Sequence, residues 1–280
     1  MILIDFTQTM IAGLMAQLKS NNGEVNENLL RHMILNTLRT YTRNYGEEYG
    51  DVVLCADEKH NWRKDFFALY KVNRKRARDK TGLDWNQLFD SLHQVREEIK
   101  DNFPWRMMQV PSCEADDIIA ILTKHFAHTE DILIVSGDKD FQQLQKYPNV
   151  KQWSPNTNKW VTCADPALFL KEHILRGDKS DGVPNFLSRD ECISENIRQV
   201  PLRKGMLDTY LRIDIDKEDK YYRNYCRNKT LIDLDEIPTE IEIAILEEFA
   251  SIVPVTGRVY DYLRNNKLND LMDNVEDFRL

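Results

Sequence analysis

Ile132-Leu133-Ile134-Val135-Ser136-Gly137-Asp138-Lys139-Asp140 sets four consecutive apolar residues ahead of two aspartates one residue apart. A short apolar run of this kind suits a strand buried on both faces, as in a parallel sheet. Two runs upstream repeat the arrangement: Ile2-Leu3-Ile4 leads into Asp5, and Val52-Val53-Leu54-Cys55 is followed by Asp57. Ligands of open parallel sheets bind just beyond the carboxyl ends of the strands. Three strands therefore deliver acids to one edge, and Gly137 is placed to allow a tight turn beneath Asp138 and Asp140.

Helical patterns fill the intervals. Residues 26–45 carry Leu29, Leu30, Met33, Ile34, Leu38 and Tyr41 at helical spacing, and 85–99 carry Leu88, Phe89, Leu92, Val95 and Ile99, before Phe103-Pro104 breaks the pattern. Ser112 is positioned to cap a helix over 114–126 whose first turn is acidic, which suits the helix dipole. Strands over 151–153 and 159–162 flank the turn Pro155-Asn156-Thr157-Asn158. Beyond them the chain reads as helices over 166–176, 187–199, 204–211, 219–228, 239–249 and 259–265. The expected fold class is α/β, a mainly parallel sheet covered by helices and followed by a helical C-terminal part.

The 280 residues, 42% hydrophobic and 30% charged, exclude a disordered or collagen-like chain. No window holds the roughly 18 apolar residues of a spanning helix, and no basic cleavable leader precedes Ile2. Five scattered cysteines with no C-x-x-C spacing read as free thiols in a reducing cytoplasm and argue against structural zinc.

The net charge of -8 conceals a local asymmetry. Between Lys59 and Lys80 stand nine Lys or Arg against two Asp, a local charge of +7, with Trp62, Phe66, Phe67 and Tyr70 interleaved. Such a segment can contact phosphates while presenting aromatic faces to exposed bases. Its alternative reading is an ordinary solvated surface.

The acids near strand ends and turns are Asp5, Asp57, Glu114, Asp116, Asp117, Asp138, Asp140, Asp178 and Asp181. Carboxylates crowded without counterions raise one another's pKa, so this set points to hard divalent cations, which prefer oxygen ligands. A pair of cations would activate water and stabilise an in-line phosphoryl displacement. Taken singly, each acid is also an ordinary turn former or helix cap. In a straight helix Glu114 and Asp117 share a face from which Asp116 points away, so either the first turn is distorted or one acid acts through water.

Taken in order, the motifs resemble the flap-endonuclease, or 5′-nuclease, superfamily and within it the ribonucleases H of tailed bacteriophages. The residues that carry this are Leu3-Ile4-Asp5-Phe6, Val53-Leu54-Cys55-Ala56-Asp57, Trp62-Arg63-x-Asp65-Phe66 with Tyr70-Lys71-x-Asn73-Arg74, Glu114-Ala115-Asp116-Asp117, Ser136-Gly137-Asp138-x-Asp140-Phe141, the run from Tyr147 to Pro155, and Gly177-Asp178-x-x-Asp181. The resemblance implies a PIN-like nuclease core over 1–165, a basic helical arch over 58–82, and a helical region over 166–280 that completes the metal site and contacts duplex.

It further implies two Mg²⁺ ions, replaceable by Mn²⁺. Asp5, Asp57, Glu114, Asp116 and Asp117 would line one position, and Asp138, Asp140, Asp178 and Asp181 would surround the other. Lys71 and Arg74 would engage the scissile phosphate and, with Asp138, act as the catalytic residues. Arg63, Lys64, Lys75, Arg76 and Arg78 would join them in binding nucleic acid. The implied activity is 5′-to-3′ hydrolysis of RNA primers in RNA·DNA hybrids, of DNA from 5′ ends and of 5′ flaps, by a monomer in the cytoplasm, the host's if the chain is phage-encoded.

Two departures from the family pattern bear on partners. Gly182-Val183-Pro184-Asn185-Phe186-Leu187 lacks the further glycines of a helix-hairpin-helix, and the first strand begins at once, without the extension implicated in sliding-clamp contact. The segment 268–280 offers either a surface for a single-stranded-DNA-binding protein or a terminal core helix. A haloacid-dehalogenase-type phosphatase is the rival enzyme class, but it needs an acid two residues after the first, where Thr7 stands. The third reading is a non-catalytic nucleic-acid-binding module.

Overall fold

The computed structural model describes residues 1–18, 27–81 and 84–278. The strands are β1 (Ile2–Asp5), β2 (Val52–Cys55), β3 (Arg106–Met108), β4 (Ile132–Val135), β5 (Val150–Ser154) and β6 (Lys159–Val161). The helices are α1 (Phe6–Leu18), α2 (Glu27–Tyr49), α3 (Trp62–Phe66), α4 (Val72–Asp79), α5 (Trp85–Asn102), α6 (Ala115–Phe126), α7 (Pro166–Arg176), α8 (Lys204–Arg212), α9 (Tyr222–Ile232), α10 (Thr239–Ser251), α11 (Val259–Asn265) and α12 (Asn269–Met272). Asn26, Gly82 and Leu280, at the ends of expected segments, lie outside the described residues.

One sheet runs in the order β3-β2-β1-β4-β5-β6. All neighbours are parallel except the final pair, β5 and β6. Ile2 registers with Val52 on one side and Leu133 on the other, so the carboxyl ends of β1, β2 and β4 lie level.

Each apolar run feeds both faces of this sheet. Ile2, Ile4, Val52, Leu54, Leu133 and Val135 pack with residues of α1, α2, α5 and α11, whereas Leu3, Val53, Cys55, Ile132 and Ile134 pack with α6 and α10. Burying each such aliphatic side chain stabilises the fold by about 1.5–3 kcal/mol. The central strands thus supply the free energy that holds a line of acids along their edge.

The structure departs from the sequence pattern in four places. Residues 187–199 form no helix beyond one 3-10 turn, Asp190–Cys192. There the Asn185 side chain accepts from the Leu187 amide at 3.1 Å and donates to the Val200 carbonyl, while the Ser188 hydroxyl accepts from the Val200 amide at 2.9 Å. Such local bonds compete with the helical ladder. The cap of α6 is Glu114 and not Ser112, whose backbone is left-handed at φ 61. Two elements gave no signal: α1 follows β1 without a breaker, and β3 has only three residues.

Segment 268–278 is a short helix and a 3-10 turn. Leu268, Leu271 and Phe278 are buried, and the Phe278 ring lies 5.6 Å from Phe103 and 5.9 Å from Trp105, so this segment is part of the core. Among the described residues no helix is long and apolar enough to cross a membrane.

Candidate active site and nucleic-acid interface

Asp5 closes β1 and turns the chain into α1 by accepting the Gln8 amide at 3.1 Å. Its other oxygen accepts the Ser136 hydroxyl, also at 3.1 Å, from the turn after β4. Asp57, two residues past β2, accepts the Ala115 amide at 3.0 Å and so anchors the start of α6. Asp138 accepts the Asp140 amide at 2.9 Å, starting a 3-10 helix over Lys139–Lys146. The Gly137 backbone does not have positive φ. Glycine leaves room there for the Asn156 side chain, whose terminal amide would have to shift from a Cβ 2.6 Å away.

These acids meet Asp116 in a cleft of about 310 Å³ that Thr7, Gln8, Ile11, Lys71 and Arg74 also line. Burial first, then the charge of Asp57, pushes the Asp5 carboxyl up to about 7. Burial and Asp140 raise Asp138 to about 6, and burial with Asp138 holds Asp116 well above the usual aspartate range. Among the described residues no ion pair reaches Asp5, Asp57, Asp116 or Asp138. Lys71 and Arg74 face the same cleft but bond to other acids.

The first turn of α6 separates its acids. Asp117 turns back to accept the Glu114 amide at 2.9 Å, and it also meets Arg63 at 2.8 Å and the Trp62 indole at 3.2 Å. Asp117 is fully buried, so it cannot line the cleft as the sequence suggested. Glu114 accepts Lys71 Nζ at 2.6 Å, the Tyr70 hydroxyl at 2.9 Å and Arg63 at 3.3 Å. Despite its burial, Lys71 and Arg63 hold its carboxyl below the usual glutamate value. Only Asp116 of this trio lines the cleft.

Arg63, expected on the nucleic-acid surface, is instead 2% exposed and also donates to the Leu231 carbonyl. Its guanidinium is the counterion of the buried pair Glu114 and Asp117. Trp62, Phe67 and Tyr70 are buried too, so the only aromatic of this segment left exposed is Phe66.

A second cluster lies beside the first. Donor atoms of Asp140, His173 and Asp178 fall within 4.8 Å of one another, a spacing that could hold a metal ion. His173 Nε2 is 2.9 Å from Asp140 and 3.6 Å from Asp178. The sequence reading missed His173. Its position on the last turn of α7, just before Gly177-Asp178, was the available signal. Although burial opposes it, hydrogen bonds from Lys139 and Ser180 hold Asp178 down at about 2.

Asp181 is drawn toward the basic segment, bonded to Arg74, to the Tyr70 hydroxyl at 3.1 Å and to Lys71 at 3.6 Å. The Lys71 amide, in a left-handed residue that begins α4, donates to the Asp181 carbonyl at 2.7 Å. Gly182, at φ +77, permits this approach, since a Cβ there would lie 2.8 Å from the Leu69 carbonyl oxygen.

The remaining cations divide by location. Lys64 and Lys75 are exposed, Arg78 sits over the Phe89 ring at 5.6 Å, and Arg76 donates to the Ser194 carbonyl at 2.8 Å. Arg76, Lys80, Lys179 and Arg198 line a groove of about 980 Å³ between α4 and residues 192–202, with no carboxylate in its lining.

Two family models match the chain: a 5′-3′ exonuclease N-terminal resolvase-like domain over residues 1–172 and the C-terminal part of T4 RNase H over 165–278. Ribonuclease H of Enterobacteria phage T4 is 33% identical over 99% of this chain and 95% of its own length. Flap endonuclease Xni of Shewanella piezotolerans is 30% identical over 44% of this chain and 48% of its own. In fold, the chain is similar to a bacteriophage T5 flap endonuclease solved as a pseudo-enzyme-product complex with DNA and metal ions, with a TM-score of 0.60, 18% identity and 98% of each chain covered. The same fold recurs in a T5 5′-exonuclease with bound zinc, at a TM-score of 0.56, 18% identity and 99% of each chain. The chain belongs to the 5′-3′ exonuclease family of the flap-endonuclease superfamily, as a phosphodiester-hydrolysing enzyme of the phage ribonuclease H type.

Proposed function

We propose that this chain removes RNA primers from RNA·DNA hybrids and cuts DNA at 5′ ends and 5′ flaps during replication, using two Mg²⁺ ions. The observation that carries the reading is the cleft of Asp5, Asp57, Asp116 and Asp138, four carboxylates without an ion-pair partner among the described residues, on the carboxyl edge of a parallel sheet. An all-oxygen donor set suits a hard divalent cation. Asp140, Asp178 and His173 fit a second ion, with one nitrogen donor. Glu114 and Asp181 act one step removed, by holding Lys71 and Arg74. When bound, the cations supply Lewis acidity toward a phosphate oxygen and an acidified water.

The protein's own groups orient the substrate. Lys71 and Arg74, at the start of α4, stand over the cleft and can exchange their carboxylate partners for the scissile phosphate as it enters. The charge-assisted bond from Arg74 to phosphate would then orient the strand, with Lys71 stabilising charge that develops on it. The groove lined by Arg76, Lys80, Lys179 and Arg198 would take the backbone of the paired region, in place of a glycine-rich hairpin. Lys64, Lys75 and Arg78 would add phosphate contacts, and Arg63 would not. In this reading residues 1–165, with the arch over 58–82, form the nuclease core, and 166–280 completes the second cation site and the duplex grip.

The test is cleavage of a 5′-flapped duplex, labelled at either end, beside a blunt duplex and an RNA·DNA hybrid in Mg²⁺. Cutting that requires the 5′ end and stops in EDTA is the expected result. Binding without cutting in Mg²⁺ or Mn²⁺ would instead make the chain a structure-binding module.

A further inference from the structure

Phe66, the last residue of α3, is 52% exposed in the middle of the basic segment, and among the described residues its ring stacks on no other. The other three aromatics of that segment have their partners inside the protein. Trp62 donates to Asp117, Tyr70 to Glu114 and Asp181, and Phe67 packs with Ile174 and Leu231. Facing Phe66 are Tyr222, Arg223, Cys226 and Arg227, which share one side of α9. With Phe66 and Phe67 they enclose a pocket of about 510 Å³, a volume within the usual range of small-ligand sites.

The chemistry of the lining is specific. Arg227 is buried with its guanidinium 5.9 Å from the centre of the Phe67 ring, while the Arg223 side chain is 73% exposed. Both guanidiniums bond to one carboxylate, Asp190, and the pocket's own lining carries two arginines and no acid. An open aromatic face beside two arginines matches a planar base carried on a phosphate backbone. Placement points the same way. Arg63, one turn before Phe66 and about 5 Å along the helix axis, touches Glu114 beneath the cleft. What a 5′ nuclease brings unpaired to this neighbourhood is the 5′ arm of its substrate.

We propose that this pocket binds an unpaired nucleobase of the 5′ single-stranded arm, stacked on Phe66 and held beside Arg223. The inference rests on the nuclease reading above. Base–aromatic stacking in sequence-tolerant single-strand binding makes its removal worth on the order of tenfold in affinity.

The experiment is a double-mutant cycle between protein and DNA, measured as binding in EDTA so that nothing is cut. Abasic sites are placed one at a time along the arm, along the template and at the 3′ end of the upstream strand. Each substrate is titrated with wild type, Phe66→Ala and Phe66→Trp. One arm position should weaken binding about tenfold in wild type and in Phe66→Trp, and by less than twofold in Phe66→Ala. Equal losses in all three proteins, no sensitive arm position, or coupling to a template or 3′-end base would each overturn the proposal. An equal fall of Phe66→Ala on blunt and armed duplex also counts against it. Wild-type cleavage of the same armed duplex in Mg²⁺ is scored separately. Cutting without coupling removes the pocket alone, whereas no cutting removes the nuclease reading as well.

Discussion

Two groups of acids, each with a member at the start of α6, differ in whether the fold gives them a cation. In the cleft, Asp5, Asp116 and Asp138 have no ion-pair partner among the described residues and carry raised pKa values. Behind it, Glu114 and Asp117 share Arg63, and Glu114 also takes Lys71; burial still raises the Asp117 carboxyl, whereas Lys71 and Arg63 hold Glu114 below its ordinary value despite its burial. Residue type does not distinguish them, since all are carboxylates in the same short motifs. The distinction is whether the fold itself supplies the positive charge. Where it does, the acid is tied into the protein's own packing; where it does not, the proposed cations would supply the charge.

The largest test of this division is Asp138→Asn. Removing one cleft carboxylate should lower single-turnover cleavage of a flapped duplex by about 10³-fold, the scale of losing a preorganised electrostatic group, with substrate affinity largely kept. Wild-type turnover in this variant would take Asp138 out of the reacting set.

The mirror experiment removes a built-in cation. Arg63→Met would leave Asp117 buried without its cation and Glu114 with Lys71 alone, and breaking such a cluster destabilises a fold by about 3–5 kcal/mol. For a chain of this size that corresponds to a fall of roughly 10 °C in Tm. A variant with unchanged Tm, and a loss confined to DNA affinity and its salt dependence, would return Arg63 to the nucleic-acid surface.

Lys71 belongs to both groups, because it lines the cleft and bonds to Glu114. Lys71→Ala should lower turnover by roughly 100-fold while affinity changes only a few-fold, the pattern of an interaction made chiefly in the transition state. Weakened binding and a shallower salt slope at unchanged turnover would make it a positioning contact.

How much of this was readable beforehand differs between the two groups for a physical reason. Strands with every residue buried announce themselves as continuous apolar runs, so β1, β2 and β4 and the acids at their ends were legible. The partner of a carboxylate is fixed by tertiary packing: Arg63 lies 51 residues before Glu114 in the chain, and nothing local distinguishes it from Lys64. Asp117 was misplaced for the same reason, since straight-helix spacing does not say which acid folds back onto the helix start. His173 carried only the weak signal of its place before Gly177-Asp178, because its partner Asp140 is 33 residues away. The break at 187–199 escaped because Asn185 and Ser188 bond to Val200, across a loop that the apolar spacing does not encode.

The smallest effect expected is on stability, and its sign marks the cleft acids. An unfolded aspartate releases its proton near 3.8, whereas folded Asp5 and Asp138 hold theirs to about 7 and about 6. Between about pH 4 and pH 7 the metal-free fold therefore binds more protons than the unfolded chain, and its stability falls as pH rises through that window. Asp178, held at about 2, has the opposite sign. It contributes stability above about pH 4 that is lost as pH falls toward 2. In EDTA the Tm should decline by several degrees from pH 5 to pH 7, and Mg²⁺ should flatten that decline by supplying the missing charge. Asp5→Asn should raise the metal-free Tm at pH 7 and abolish most of its response to Mg²⁺. A metal-free Tm that climbs from pH 5 to pH 7, or a Tm indifferent to Mg²⁺ in wild type, would mean that the cleft acids are not the uncompensated set.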